Sequence, residues 1–233
     1  MTPKTLVIAS TCAWLVGCGG KILYPHYYAL DIAPAPRPAV SDSRLPGTLA
    51  VRRFETPSYL RQGRIVYRQG PAEIGFYDYH RWAVDPAVTV TAAVMDSLRS
   101  SRLFSFVKPY DGQSQEDYLM SGRLERLEEI DYGGSVRVEA KLSAELVDLR
   151  TGATVWTGDA DETLAVEPHT VNAVAVKMSQ AVQKSVDRLV ASLDRQLLAK
   201  SAQIGEDFDF PKTDRQAIDF KQRSSKLFRF SWN

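Results

Sequence analysis

A chain of 233 residues with 44% hydrophobic and 24% charged residues has the profile of a globular protein with room for one full core and some appendages. Its 29 basic and 28 acidic residues nearly cancel, which argues against nucleic acid as a partner, because that binding draws on a net basic face. Both cysteines, Cys12 and Cys18, lie near the start, so nothing beyond residue 18 can form a disulfide, bind zinc through thiolates or act as a thiol nucleophile.

Lys4 precedes an apolar run from Leu6 to Val16, the basic start and short hydrophobic core of a secretory signal. Roughly a dozen residues cannot span a hydrocarbon layer that needs about 20. The run ends in Leu15-Val16-Gly17-Cys18, which resembles the lipobox of bacterial lipoproteins: small residues before a cut, then a cysteine whose sulfur takes a diacylglycerol. Residues 1–17 are therefore expected to be a lipoprotein signal peptide and Cys18 the site of lipidation, with palmitate incorporated. Two or more acyl chains hold a protein stably at a membrane. Cleavage removes Lys4 and Cys12, leaving balanced charge and no free thiol, which suits an oxidising compartment. Gly19 stands where such lipoproteins carry aspartate for inner-membrane retention, so the periplasmic face of the outer membrane is the expected destination.

Residues 18–47 are expected to hold the lipid anchor, a first strand and a connection. Tyr28, Leu30 and Ile32 alternate within Tyr24 to Ile32 and predict the strand, while Pro34, Pro36, Pro38 and Pro46 predict an extended link from Ala33 to Gly47. The main domain is expected over residues 48–200. Leu49 to Phe54, Arg64 to Arg68 and Glu73 to Tyr79 predict strands. Asp85-Pro86 supplies a cap and a first-turn proline, and Ala87, Val90, Val94 and Leu98 follow at helical spacing, predicting a helix over Pro86 to Ser101. Phe104 to Pro109 and Tyr118 to Ile130 predict further strands. Ser135 to Val147 is the clearest: Val136, Val138, Ala140, Leu142, Ala144 and Leu146 alternate with polar residues, so one face is buried and the other wet. Gly133-Gly134 before it and Thr151-Gly152 after it predict an antiparallel meander with Thr154 to Leu164. From Pro168 to about Lys200 a stripe of Val171, Val174, Met178, Val182, Leu189, Leu193 and Leu197 predicts a long helix. The fold class is α/β: a mostly antiparallel or mixed sheet with two main helices packed on it.

Residues 201–233 lose the pattern and are expected to form a disordered tail. Within it Phe228, Phe230 and Trp232 alternate as a strand would, and could add to a partner's sheet edge. The densest cluster elsewhere is Phe76-Tyr77-Asp78-Tyr79-His80-Arg81-Trp82. Its large amphipathic rings suit either the core or a contact between subunits or partners, which makes Tyr77, Tyr79, Arg81 and Trp82 candidates for a partner interface. Asp78 and His80 could share a strand face as an acid/base pair, but no nucleophile stands beside them.

No catalytic residues, metal site or cofactor are expected. His26, His80 and His169 lie far apart and lack metal-ligand spacing, and the chain has no Gly-x-Ser-x-Gly elbow or phosphate loop. Glu128 and Glu129 are the nearest paired carboxylates, yet neighbours on a strand point to opposite faces and cannot flank one bond.

Four ordered blocks after the lipobox resemble the ABC-type transport auxiliary lipoprotein family: Tyr27-Tyr28-Ala29-Leu30; Ser58-Tyr59-Leu60 running into Ile65-Val66-Tyr67-Arg68; Tyr77 to Trp82 leading through the first helix to Leu103-Phe104-Ser105-Phe106-Val107; and Ala175 to Val182 in the last helix. The resemblance covers about Cys18 to Leu198. It implies a fold similar to the N-terminal domain of TolB and a non-enzymatic role on the outer membrane. The implied partners are a mammalian-cell-entry-domain protein that moves lipid between membranes, its permease and ATPase, and further copies of the same chain. A structural assembly lipoprotein for outer-membrane or cell-surface structures is the alternative, separated from transport by which partner is found.

Overall fold

A computed structural model describes residues 23–33, 45–112 and 116–206, with side chains described as far as Ala199. Among these residues eight strands form one mixed sheet and two long helices accompany it. The strands are β1 (His26–Tyr28), β2 (Leu45–Val51), β3 (Arg64–Arg68), β4 (Ile74–Trp82), β5 (Phe104–Pro109), β6 (Tyr118–Asp131), β7 (Val136–Asp148) and β8 (Thr154–Ala165); the helices are α1 (Pro86–Ser101) and α2 (Val171–Glu206). The described residues up to Asp194 make one compact unit, and the described part of a second is the last stretch of α2.

Strand β6 organises the sheet. On one side it pairs antiparallel with β7, which pairs antiparallel with β8, the meander that Gly133-Gly134 and Thr151-Gly152 predict. On the other side it takes two partners in succession, both parallel. Leu49 to Val51 of β2 lie against Tyr118 to Met120, and Tyr67 and Arg68 of β3 lie against Glu129 and Ile130. Beyond β2 lies β5, parallel; beyond β3 lie β4, antiparallel, and then β1, parallel to β4.

The alternation in β7 does what it predicts. Val138, Ala140, Leu142 and Leu146 are fully buried, whereas Arg137, Glu139, Lys141, Ser143 and Glu145 lie on the opposite face. A bulge between Leu124 and Arg126 keeps β6 in phase, so that Leu124 and Leu127 face Leu142 and Ala140 on the buried side. The stripe of α2, from Val174 through Met178, Val182 and Val186 to Leu189 and Leu193, is buried. Ser185 Oγ donates to the Ala140 carbonyl at 3.2 Å, joining helix to sheet. At the start of α1 the Asp85 carboxylate accepts from the Ala87 amide at 2.8 Å, satisfying a helix-end donor, and Thr91 Oγ1 accepts from the Phe54 amide at 3.0 Å. Phe54 lies across Gly122, where any Cβ would collide with its ring.

Three boundaries move. The first strand contracts to His26–Tyr28, because its three residues match β4 only from His80 to Trp82, after which the Asp31 amide turns to Ser179 Oγ at 3.2 Å. The connection expected to end at Gly47 ends earlier. Strand β2 starts at Leu45 and carries Pro46 and Gly47 through a register slip, Gly47 having a φ of 130° that a side chain would strain. Finally, α2 begins at Val171 and runs to Glu206, into the segment expected as tail. Most of the proline-rich link (34–44) and residues 207–233 lie outside the described residues.

Candidate functional site

The aromatic run Tyr77 to Trp82 sits on β4 where pairing with β3 is irregular. Arg64 pairs with Arg81 and Val66 with Phe76, so four residues, Tyr77 to His80, stand opposite the single Ile65. Simple alternation therefore fails here, and each side chain takes its own direction. Asp78 is exposed, its carboxylate 3.5 Å from Arg64. His80 turns toward β1, where Nδ1 lies 2.9 Å from the Tyr28 hydroxyl and its ring stacks on His26 at 5.3 Å. Asp78 and His80 thus belong to different contacts.

Tyr77 turns the other way, to Glu129 of β6. Its hydroxyl donates to Glu129 Oε2 at 2.8 Å, and its ring stands edge-on to Tyr67 at 5.1 Å and to His80 at 5.6 Å. Burial first, and then the hydrogen bond to Glu129, push the Tyr77 hydroxyl well above the ordinary tyrosine range, so it stays a donor. Burial, and next the charge of His26, hold His80 below the ordinary histidine value. On the far side of Glu129, His169 Nε2 lies 2.7 Å from Oε1. All three histidines of the chain therefore join one network that runs from β1 through β4 and β6 to the turn before α2.

Glu128 and Glu129 do point to opposite faces, and both are fully buried. Glu128 pairs with Arg68 at 2.5 Å; its own Oε2 has no hydrogen-bond partner among the described residues. Arg68 also donates to the Pro71 carbonyl at 3.2 Å. The ion-pair partner of Glu129 among the described residues is His169. Asp131, two residues along on the same face, brings a further carboxylate, and one ligand atom from each of Glu129, Asp131 and His169 lies within 4.8 Å of the other two. These three could hold a cation. Sequence reasoning missed this convergence, because only the pairing of β3 and β4 beside β6 and the return of the chain after β8 bring the residues together. The one signal available was a charged pair, Glu128-Glu129, within a predicted strand.

Exposed aromatic rings accompany this network. Tyr27 is 64% exposed and Tyr79 45%, and Arg81 is half-buried. Trp82, by contrast, is 5% exposed and belongs to the core. Tyr24 is exposed as well, and β1 ends the sheet on this side among the described residues. Cys18, Phe228, Phe230 and Trp232 lie outside the described residues.

A family described as the ABC-type transport auxiliary lipoprotein component matches residues 28–204. The chain belongs to that family. The match takes in every strand after β1 and nearly all of α2, so the ordered blocks of the sequence and the mixed sheet describe the same auxiliary lipoprotein domain. Among solved structures, a Xanthomonas campestris protein described as DUF330 is 19% identical with a TM-score of 0.65, over 76% of this chain and 99% of its own. An uncharacterized protein, 13% identical, reaches 0.55 over 73% and 99%. These two likenesses establish the fold. No curated protein matches the sequence. No described helix of the auxiliary lipoprotein is long and apolar enough to cross a membrane.

Proposed function

We propose that this auxiliary lipoprotein is a non-enzymatic docking component of an intermembrane lipid transport system. Acylated Cys18 holds it to the periplasmic face of the outer membrane. There it receives the periplasmic part of a mammalian-cell-entry-domain protein served by a permease and an ATPase, as a ring of identical copies. The observation that carries this reading is the family match over residues 28–204 joined to Leu15-Val16-Gly17-Cys18. The exposed rings of Tyr27 and Tyr79 beside Arg81 support it, since Tyr and Arg dominate the energetic centres of protein contacts. Phe228, Phe230 and Trp232 are the second proposed contact.

Affinity capture from mildly crosslinked cells tests the reading. A mammalian-cell-entry-domain protein is expected in the captured material, and deleting the gene should sensitise cells to detergents. Recovery of a surface-structure assembly protein in its place would overturn it. Labelling with palmitate tests the anchor separately: the wild-type chain should take up label and Cys18→Ala should not, and a Cys18→Ala chain that still sediments with membranes would contradict the anchor.

A further inference from the structure

The fully buried Glu129 differs from the other sequestered glutamates in what neutralises it. Glu116 has Lys108, Glu128 has Arg68 and Glu162 has Arg188 within ion-pair distance. Glu129 has a histidine that is itself 47% exposed. Beside it Asp131 brings a further carboxylate within 4.8 Å, and two carboxylates that close repel unless a positive charge lies between them. A divalent cation seated between them would supply that charge while using the imidazole as a ligand.

The local build suits such an ion. The period of β6 puts Glu129 and Asp131 on one face at the end of the strand. The Val166 amide donates to the Val136 carbonyl at 3.0 Å, which leads the chain past this strand end and delivers His169 just ahead of α2. A zinc ion with ligand bonds of about 2.0–2.2 Å sets tetrahedral ligand atoms roughly 3.4 Å apart, so Glu129 and His169 would separate slightly and Asp131 close in. Tyr77 donates to Glu129 Oε2, an outer hydrogen bond of the kind that orients metal-bound carboxylates, while Oε1, the oxygen that faces His169 Nε2, would coordinate. One nitrogen and two oxygens favour zinc or manganese over calcium, which prefers oxygens alone. The half-exposed imidazole leaves a way in for the ion.

We propose that Glu129, Asp131 and His169 bind one divalent cation of the zinc class, clamping the end of β6 to the turn that opens α2. The full chain, purified in detergent, stripped with EDTA and dialysed, is titrated with zinc chloride by calorimetry, with thermal unfolding followed in parallel. One zinc per chain and a higher Tm are expected. Asp131→Asn and His169→Ala, which alter partly exposed side chains, should each weaken binding about tenfold or more, and Tyr77→Phe roughly tenfold. The variant Asp96→Asn should bind like wild type, because this half-exposed carboxylate of α1 pairs with Arg99 and is not part of the network around Glu129. Absence of saturable binding at millimolar zinc would overturn the proposal. So would undiminished affinity in the folded Asp131→Asn/His169→Ala variant, or calcium binding as tightly as zinc.

Discussion

Glu128 and Glu129 are consecutive, equally buried and chemically identical, yet the strand sends them into two different environments. On one face Glu128 meets a guanidinium that carries its charge at every accessible pH. On the other, Glu129 meets a tyrosine, a half-exposed histidine and a second carboxylate. The first arrangement is closed and serves the fold. The second joins Tyr77 of β4, the strand that also carries the exposed ring of Tyr79, and it is the face on which the proposed cation site lies.

The contrast can be broken most severely from the Glu128 side. Arg68→Met strands a buried carboxylate, so urea unfolding should show a loss of about 3–5 kcal/mol. Adding Glu128→Leu to Arg68→Met should recover most of that loss, since an apolar pair of similar volume often replaces a buried ion pair without cost. On the Glu129 side the effect is smaller: in zinc-free protein Tyr77→Phe removes one hydrogen bond to a charged group and should cost about 1.5–3 kcal/mol by the same assay.

Acidity should distinguish the faces as well. His80, packed against His26, Tyr28 and Tyr77, has its folded-state pKa held down by burial and then by His26. As the pH falls, the unfolded chain takes up this proton first. The His80 contribution to stability is therefore complete above about pH 6.5 and is lost as the pH drops from there to the lower folded-state value. Denaturation midpoints measured across this window should slope with pH in wild type and in Arg68→Met, and the slope should lessen in His80→Gln. A slope unchanged by His80→Gln would remove this part of the contrast. Smallest of all, Tyr79→Ala should alter stability by less than about 0.5 kcal/mol, as expected for an exposed side chain, while altering partner capture.

Much of the fold was legible in the sequence because its strongest signals are local. The alternation of β7, the Asp85-Pro86 cap and the apolar stripe of α2 each reflect burial of one face, and the structure shows those elements close to their predicted bounds. What the sequence did not show is pairing. No local pattern says that β2 and β3 lie end to end along one edge of β6, or that β1 runs parallel to β4, since parallel neighbours can be remote in sequence. The site depends on that pairing. His26 and His80 meet through β1 and β4, and His169 reaches Glu129 across forty residues. The irregular pairing opposite Ile65 also undid the period-two inference that Asp78 and His80 share a strand face. Glu128 and Glu129 pointing apart was readable, because it needs only the pleat.

The most direct measurement of the docking role is photocrosslinking in intact cells from a probe placed at Tyr79 and, in a second strain, at Tyr27. The account predicts that both positions give adducts to the mammalian-cell-entry-domain protein or to a second copy of this chain, and that a probe at Leu149, exposed but remote in the sheet, does not. Adducts to neither from Tyr79 or Tyr27, with the transporter present in the same cells, would contradict it.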